Sequence, residues 1–234
     1  MPHVMISGGS RGIGRACVDL FAGRGFNVTS LSRTGKPENS VEGVFYIECD
    51  VKDPEAVKVA VDMAISNNGP VDVLISNAGI AVSGLAQDLK YQDYRDVMDT
   101  NFGSLFNLAG AVIPGMVRQG KGVILATSSM WGQTGASCEA LYSASKGAVD
   151  SYIKALAKEL GPSGIRVNAV SPGAIDTDMM SGFDDEVKQV ICDDTPLGKL
   201  GDPKEIAEVM YFLQSDKASF ITGQIIGANG GYLI

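Results

Sequence analysis

His3-Val4-Met5-Ile6-Ser7-Gly8-Gly9-Ser10-Arg11-Gly12-Ile13-Gly14 is the stretch on which the fold turns. A short apolar run stops in glycines, as a buried strand does before a tight turn. Ala16, Val18, Leu20 and Phe21 follow and suit a buried helix. Gly8, Gly12 and Gly14 therefore lie between strand and helix with G-x-x-x-G-x-G spacing. Bare backbone there lets a pyrophosphate approach the amides of a helix amino end, where the helix dipole favours an anion. An ordinary strand–helix turn also uses glycine; the strand before and helix after make the dinucleotide reading specific. Ser10, Arg11 and Ile13 join the glycines as candidate cofactor contacts.

Working outward, Phe26 to Leu31 reads as a second strand ending in Ser32-Arg33. A carboxylate at that strand end would hold a ribose 2′-hydroxyl. Ser32 stands there instead, with Arg33 beside it and Arg11 in the glycine turn. Two guanidiniums suit a 2′-phosphate, so NADP(H) is expected over NAD(H). Thr34 to Gly43 lacks a helical period and predicts an irregular crossover. Val44 to Glu48 is a third strand, followed by Asp50 and Val51 as adenine-side candidates; Asp50 could equally cap the next element. Asp53 and Pro54 predict a helix start, running to Asn68 before Gly69-Pro70. Val71 to Ser76 is a fourth strand, closing on Asn77-Ala78-Gly79, whose small residues would let a flat ring lie against the backbone.

Farther on, Tyr91 to Asp99 reads as a short helix and Thr100 to Gln119 as a long one, apolar on more than one face and expected to meet another subunit. Asn101 near its start suggests a cap. Gly122 to Ser128 and Ile165 to Val170 are two more strands. Between them lies Tyr142-Ser143-Ala144-Ser145-Lys146 on a helix running to about Leu160. Tyr and Lys four apart share one helix face. An ammonium beside a phenol favours the phenolate and predicts a lowered tyrosine pKa, useful for a general acid. Ala174 to Leu200 shows no long regular element and predicts a substrate flap. Asp202-Pro203 starts a helix to Leu213, and Gln224 to Ala228 is a last strand.

With 45% hydrophobic and 20% charged residues in 234, the composition predicts one globular domain over 1–234. A net charge of −8 argues against a general nucleic-acid binder. No apolar run reaches membrane-spanning length, and the amino end lacks a leader pattern, so a cytoplasmic protein is expected. Cys17, Cys49, Cys138 and Cys192 have no metal spacing. His3, the sole histidine, makes a histidine metal site or a Ser-His-Asp triad untenable. No metal is expected. Strands alternating with helices predict a parallel sheet covered on both faces.

Taken together, Gly8-x-x-x-Gly12-x-Gly14, Asn77-Ala78-Gly79, Asn101, Ser129, Tyr142-x-x-x-Lys146 and Pro172-Gly173-x-Ile175-x-Thr177 resemble the short-chain dehydrogenases/reductases over nearly the whole chain. The resemblance implies an α/β, Rossmann-type doubly wound parallel sheet of about seven strands with helices on both faces. It implies an Asn101-Ser129-Tyr142-Lys146 tetrad and a homodimer or homotetramer. Tyr142 would protonate the nascent alkoxide, Ser129 would bond the substrate oxygen, and Lys146 would hold the nicotinamide ribose. Asn101 would anchor a proton path, and Thr177 the carboxamide. Within the family the chain is similar to β-ketoacyl-acyl-carrier-protein reductases of fatty acid biosynthesis, with Arg118 and Lys121 as candidate docking charges for an acyl carrier protein. Ser129-Met130-Trp131-Gly132 and Glu139 also resemble reductases of 5-aminopentanone-modified elongation factor P, in which Trp131 and Glu139 would contact a cationic amine. Another small ketone is the other alternative substrate, and a cofactor-sensing protein that binds NADP(H) without turnover is the alternative of another class.

Overall fold

A computed structural model describes residues 1–234. In chain order the elements are β1 (His3–Ser7), α1 (Gly12–Gly23), β2 (Asn27–Ser32), β3 (Phe45–Glu48), α2 (Pro54–Asn68), β4 (Val73–Ser76) and α3 (Tyr91–Met98). A π-helical turn (Asp99–Gly103) leads into α4 (Ser104–Gln119). Then come β5 (Gly122–Thr127), α5 (Met130–Thr134), α6 (Ala140–Leu160), β6 (Ile165–Pro172), α7 (Asp185–Asp194), α8 (Pro203–Gln214) and β7 (Ile225–Ala228).

The strands form one seven-stranded sheet in the order β3-β2-β1-β4-β5-β6-β7. Every pairing is parallel, for example Ile6 opposite Ile75 and Ser7 opposite Ser76. Alternation along the strands builds two cores. Met5, Leu74, Ile124 and Val167 face one core, closed by α2, α4 and α6 through Val61, Leu108 and Ile153. Val4, Ile6, Val73, Ile75 and Leu125 face the other, closed by α1 and α8 through Phe21, Ile206 and Met210. Burial on both faces is why the strands read as unbroken apolar runs. Winding reverses between β1 and β4, so their carboxyl ends open a crevice between the loops.

Local chemistry accounts for most boundaries. Asp53 accepts from the amides of Glu55 (2.9 Å) and Ala56 (3.3 Å), with Pro54 at the first helical position. Asp202 and Glu205 form a reciprocal capping box on α8. β2 and β3 are joined without a helix, as the glycines of 34–43 imply.

Three expectations need correction. First, Asn101 caps nothing: the helical run continues from α3 through a π turn, and Asn101 sits inside that turn. Second, the stretch from Ala174 to Leu200 holds the ten-residue α7. Asp184 accepts from the Val187 amide at 2.9 Å, and Val187, Val190 and Ile191 share a stripe, but no residue of α7 is buried. The apolar signal was too weak to stand out. Both ends of this stretch are tied down: Asp176 donates to the Gly201 carbonyl (2.9 Å) and Leu197 to the Gly230 carbonyl (3.1 Å). Third, Arg118 lies in the last turn of α4 and Lys121 directly precedes β5. The carboxyl rim is about 20 Å away along that six-residue strand, and Lys121 pairs with Asp72 at 3.0 Å. Those two charges face the wrong end for a carrier delivering substrate to the crevice. No helix is long and apolar enough to cross a membrane.

Candidate active site

One cavity of about 630 Å³ occupies the carboxyl rim. It is lined by every candidate site residue except Gly14 and Asn101, which lie just behind its wall. At one end, Gly8 carries φ +69, and a Cβ on Gly14 would stand 2.1 Å from the Gly8 carbonyl oxygen. The loop therefore folds against the first turn of α1 at a distance only glycine permits. Asn77 Nδ2 reaches the same carbonyl at 3.4 Å and Thr127 Oγ1 donates to Asn77 Oδ1 at 2.9 Å, which ties β1, β4 and β5 together at the crevice. A bare cradle at the amino end of a twelve-residue helix fits a dinucleotide pyrophosphate.

Ser32 is buried and donates to the Gly35 carbonyl at 3.0 Å, so no carboxylate occupies the end of β2. Arg33 is exposed at the cavity edge and forms no ion pair. Arg11 pairs with Asp178 at 3.3 Å, both side chains about two-thirds exposed, so this bond is weak and replaceable. Asp50 accepts from the Lys52 amide at 3.0 Å, which makes it a turn residue as well as part of the lining. Val51, Ala78, Gly79, Pro172, Gly173, Ile175 and Thr177 complete the strand-end walls.

The other half of the cavity holds Ser129, Tyr142 and Lys146. Ser129 follows β5 and caps α5, its Oγ accepting from the Trp131 amide at 3.2 Å. Tyr142 and Lys146 project from the first two turns of α6, with the Lys146 Nζ 5.6 Å from the Tyr142 ring centre. Lys146 is buried and donates to the Thr127 carbonyl at 2.8 Å. Burial pushes its pKa down to about 8, with Asp150 opposing.

Tyr142 departs from expectation. Burial raises its pKa, the Ser129 hydroxyl opposes this, and the Glu139 carboxylate adds to it. Desolvation disfavours phenolate and ammonium alike, so the lysine one turn away does not by itself turn the phenol acidic. The phenol stays protonated and ready to donate.

Asn101 is the hidden member. Its Nδ2 donates to the Ile80 carbonyl and the Ser145 hydroxyl (2.9 Å each), and its Oδ1 accepts from the Ile80 amide at 2.8 Å. It joins the β4 loop to the turn of α6 that carries Lys146. The π turn swings this side chain inward, where a regular helix would direct it elsewhere.

At the outer end, Trp131 meets Tyr232 edge-on with ring centres 5.6 Å apart. Glu139 accepts from the Ser83 hydroxyl through Oε1, while its Oε2 is buried without a partner. Met179, Phe183 and Ile191 from the flap close this side. Tyr232 and Ser83 escaped the sequence reading; no local pattern brings the last residues of the chain beside Trp131. All four cysteines are free, and no cluster of His, Cys, Asp or Glu has metal-binding geometry.

Residues 8–233 match a family model described as enoyl-(acyl carrier protein) reductase. The chain is 41% identical to the uncharacterized oxidoreductase YmfI of Bacillus subtilis, covering 97% of each. It is 39% identical to the 3-oxoacyl-[acyl-carrier-protein] reductase FabG of Staphylococcus aureus, covering 97% of this chain and 96% of the relative. Ligand-free aldohexose dehydrogenase of Thermoplasma acidophilum superposes with a TM-score of 0.92 at 30% identity, over 99% of this chain and 93% of that one. With the glycine cradle, Ser129, Tyr142 and Lys146 gathered at one sheet rim, the chain belongs to the short-chain dehydrogenase/reductase family, nicotinamide-dependent oxidoreductases acting on CH–OH and C=O groups.

Proposed function

We propose that this protein uses NADPH to reduce a ketone to a secondary alcohol, and that the ketone is a 3-oxoacyl thioester. The observation that carries the chemistry is the order of groups around one cavity: hydroxyl of Ser129, protonated phenol of Tyr142, buried amine of Lys146. When bound, the nicotinamide supplies a hydride for the carbonyl carbon. Ser129 holds the substrate oxygen, and Tyr142 delivers the proton that completes the alcohol. Lys146, as an ammonium, orients the ribose hydroxyls and lends positive charge to the developing phenolate. Asn101 holds the turn that carries Lys146 and stands at the start of its proton supply. Thr177 is the carboxamide contact.

Preference for the phosphorylated cofactor is supported by the free Arg33, the weakly paired Arg11 and the missing carboxylate at Ser32. The 3-oxoacyl class is supported by likeness to proteins named 3-oxoacyl reductases. A second reading, reduction of 5-aminopentanone-modified elongation factor P, is favoured by the unpartnered Glu139 Oε2 beside the Trp131–Tyr232 pair. A carboxylate and aromatic edges suit an ammonium better than an acyl tail. Exposed Phe106 near Phe102 and Tyr152 supports a homodimer or homotetramer packed through α4 and α6. Four unpaired thiols suit the cytoplasm.

The test is NADPH consumption with acetoacetyl thioester, run beside NADH. NADPH-selective turnover is expected. Firm NADPH binding without turnover would reject the thioester and turn the assay to ketone-bearing elongation factor P, read by mass. Binding without turnover of either substrate would favour the cofactor-sensing alternative.

A further inference from the structure

Beyond the four residues of the tetrad, α6 carries a buried carboxylate in line with Tyr142 and Lys146. Tyr142, Lys146, Asp150 and Lys154 follow each other at four-residue intervals, one turn apart along the helix. Lys154 is exposed, whereas Asp150 is 5% exposed. A carboxylate almost never lies that deep without a partner. Its partner is the Ser128 hydroxyl, which donates to Asp150 Oδ1 at 2.5 Å. Ser128 directly precedes Ser129. Directly before it, the Thr127 carbonyl accepts from Lys146 at 2.8 Å. Two consecutive residues at the end of β5 are thus tethered to two consecutive turns of α6.

We propose that Asp150 is a positioning residue of the reaction centre: through Ser128 it sets Ser129 against Tyr142, and it is the fixed counter-charge of the Lys146 ammonium. The proposal rests on the reading of Ser129, Tyr142 and Lys146 as the reacting group. Asp150 and Lys146 form no direct ion pair; the carboxylate acts from one turn away, in a region from which water is excluded. Around Lys146 the other groups are Tyr142 on its own helix, the Thr127 carbonyl on β5, and Asn101 and Gly79 from the π turn and the β4 loop. Of these groups only Tyr142 titrates, beside Asp150 itself. Burial raises the pKa of the Asp150 carboxyl, opposed by the Ser128 hydroxyl and by the charges of Lys154 and Lys146, while Glu139 bears on Tyr142. Asp150, one turn along α6, is the anion that opposes the burial of Lys146. Without it, burial alone would drive the amine toward its neutral form.

The deciding measurement needs no substrate. Lysine labelled with ¹³C at Cε reports each amine by NMR titration, and K146R identifies the resonance that titrates near 8. D150N keeps the shape of the side chain and removes its charge; the Lys146 midpoint should fall by about one pH unit. S128A keeps the charge and cuts the tether. Its midpoint should stay near the wild-type value while kcat drops about 10-fold and NADPH affinity is retained. D150E, which keeps the charge, should restore the midpoint and serves as the control for folding. An unmoved midpoint in D150N, or wild-type kcat in S128A, would overturn the proposal. Failure of the wild-type protein to reduce any ketone would count against the proposed function instead, with the D150N titration still deciding the role of Asp150.

Discussion

The two rims of the sheet treat polar groups in opposite ways. At the amino rim the buried polar side chains find partners within the chain. His3 binds the Gly69 carbonyl (2.7 Å) and the Thr29 hydroxyl (2.9 Å) with its two nitrogens, and Asp72 accepts from the His3 amide. Arg166 reaches four backbone carbonyls, those of Leu213, Gln214, Ser215 and Ile221. At the carboxyl rim, Arg33 has no partner, one oxygen of Glu139 is unpaired, and the Tyr142 phenol faces a cavity. Buried polar groups satisfied within the chain stabilise it; those left open are available to a ligand. The comparison teaches that the fold is held at one end so that the other can remain incomplete.

Substitutions should separate the two rims. The largest effect belongs to Tyr142→Phe, which removes the proposed proton donor: turnover should fall by about 10³-fold, with NADPH binding measured by fluorescence little changed. Loss of both would make Tyr142 a structural residue and blur the contrast. Arg33→Ala should weaken NADPH by about 10- to 100-fold, leaving NADH unaffected. Equal weakening of the two cofactors in parallel titrations would remove the phosphate role.

His3→Ala addresses the other rim. It should lower stability by about 2 kcal/mol in urea unfolding while kcat stays at the wild-type level. A loss of activity in the folded variant would show that the rims are not independent.

Two pH profiles complete the contrast. Burial holds the His3 pKa below its ordinary 6.5. The unfolded chain therefore binds the extra proton first as pH falls, and stability is present above about 6.5 and lost below it. Thermal melts between pH 7.5 and 5 should show a decline that His3→Ala abolishes. At the carboxyl rim the sign is reversed: the proposed reduction needs Lys146 as an ammonium and Tyr142 as a phenol. Turnover should decline as pH rises through about 8, with Tyr142, raised by burial, still protonated. A rate that climbs through that range would mean that the phenol titrates first.

Most of the framework was legible because its signals are local. Gly8, Gly12 and Gly14 mark a strand–helix turn, Asp53-Pro54 and Asp202-Pro203 announce helix starts, and Tyr142 and Lys146 share a face by spacing alone. The candidate site was readable for the same reason, since its parts follow strand ends in a parallel sheet. What escaped depended on neighbours distant in the chain. The inward turn of Asn101 needs Ile80 and Ser145, and Tyr232 matters only because the chain end folds beside Trp131. α7 carries an apolar stripe too weakly buried to register.

By itself, then, the sequence determined the alternation of strands and helices, the glycine cradle and the set of candidate site residues, all of which follow from short-range sterics and periodicity. Tertiary structure alone decided their chemical state. Burial raises the Tyr142 pKa where an adjacent ammonium predicted a fall, brings Lys146 to about 8, and hides Asp150 behind Ser128. Desolvation depends on everything packed around a group, and that is not written in the residues next to it.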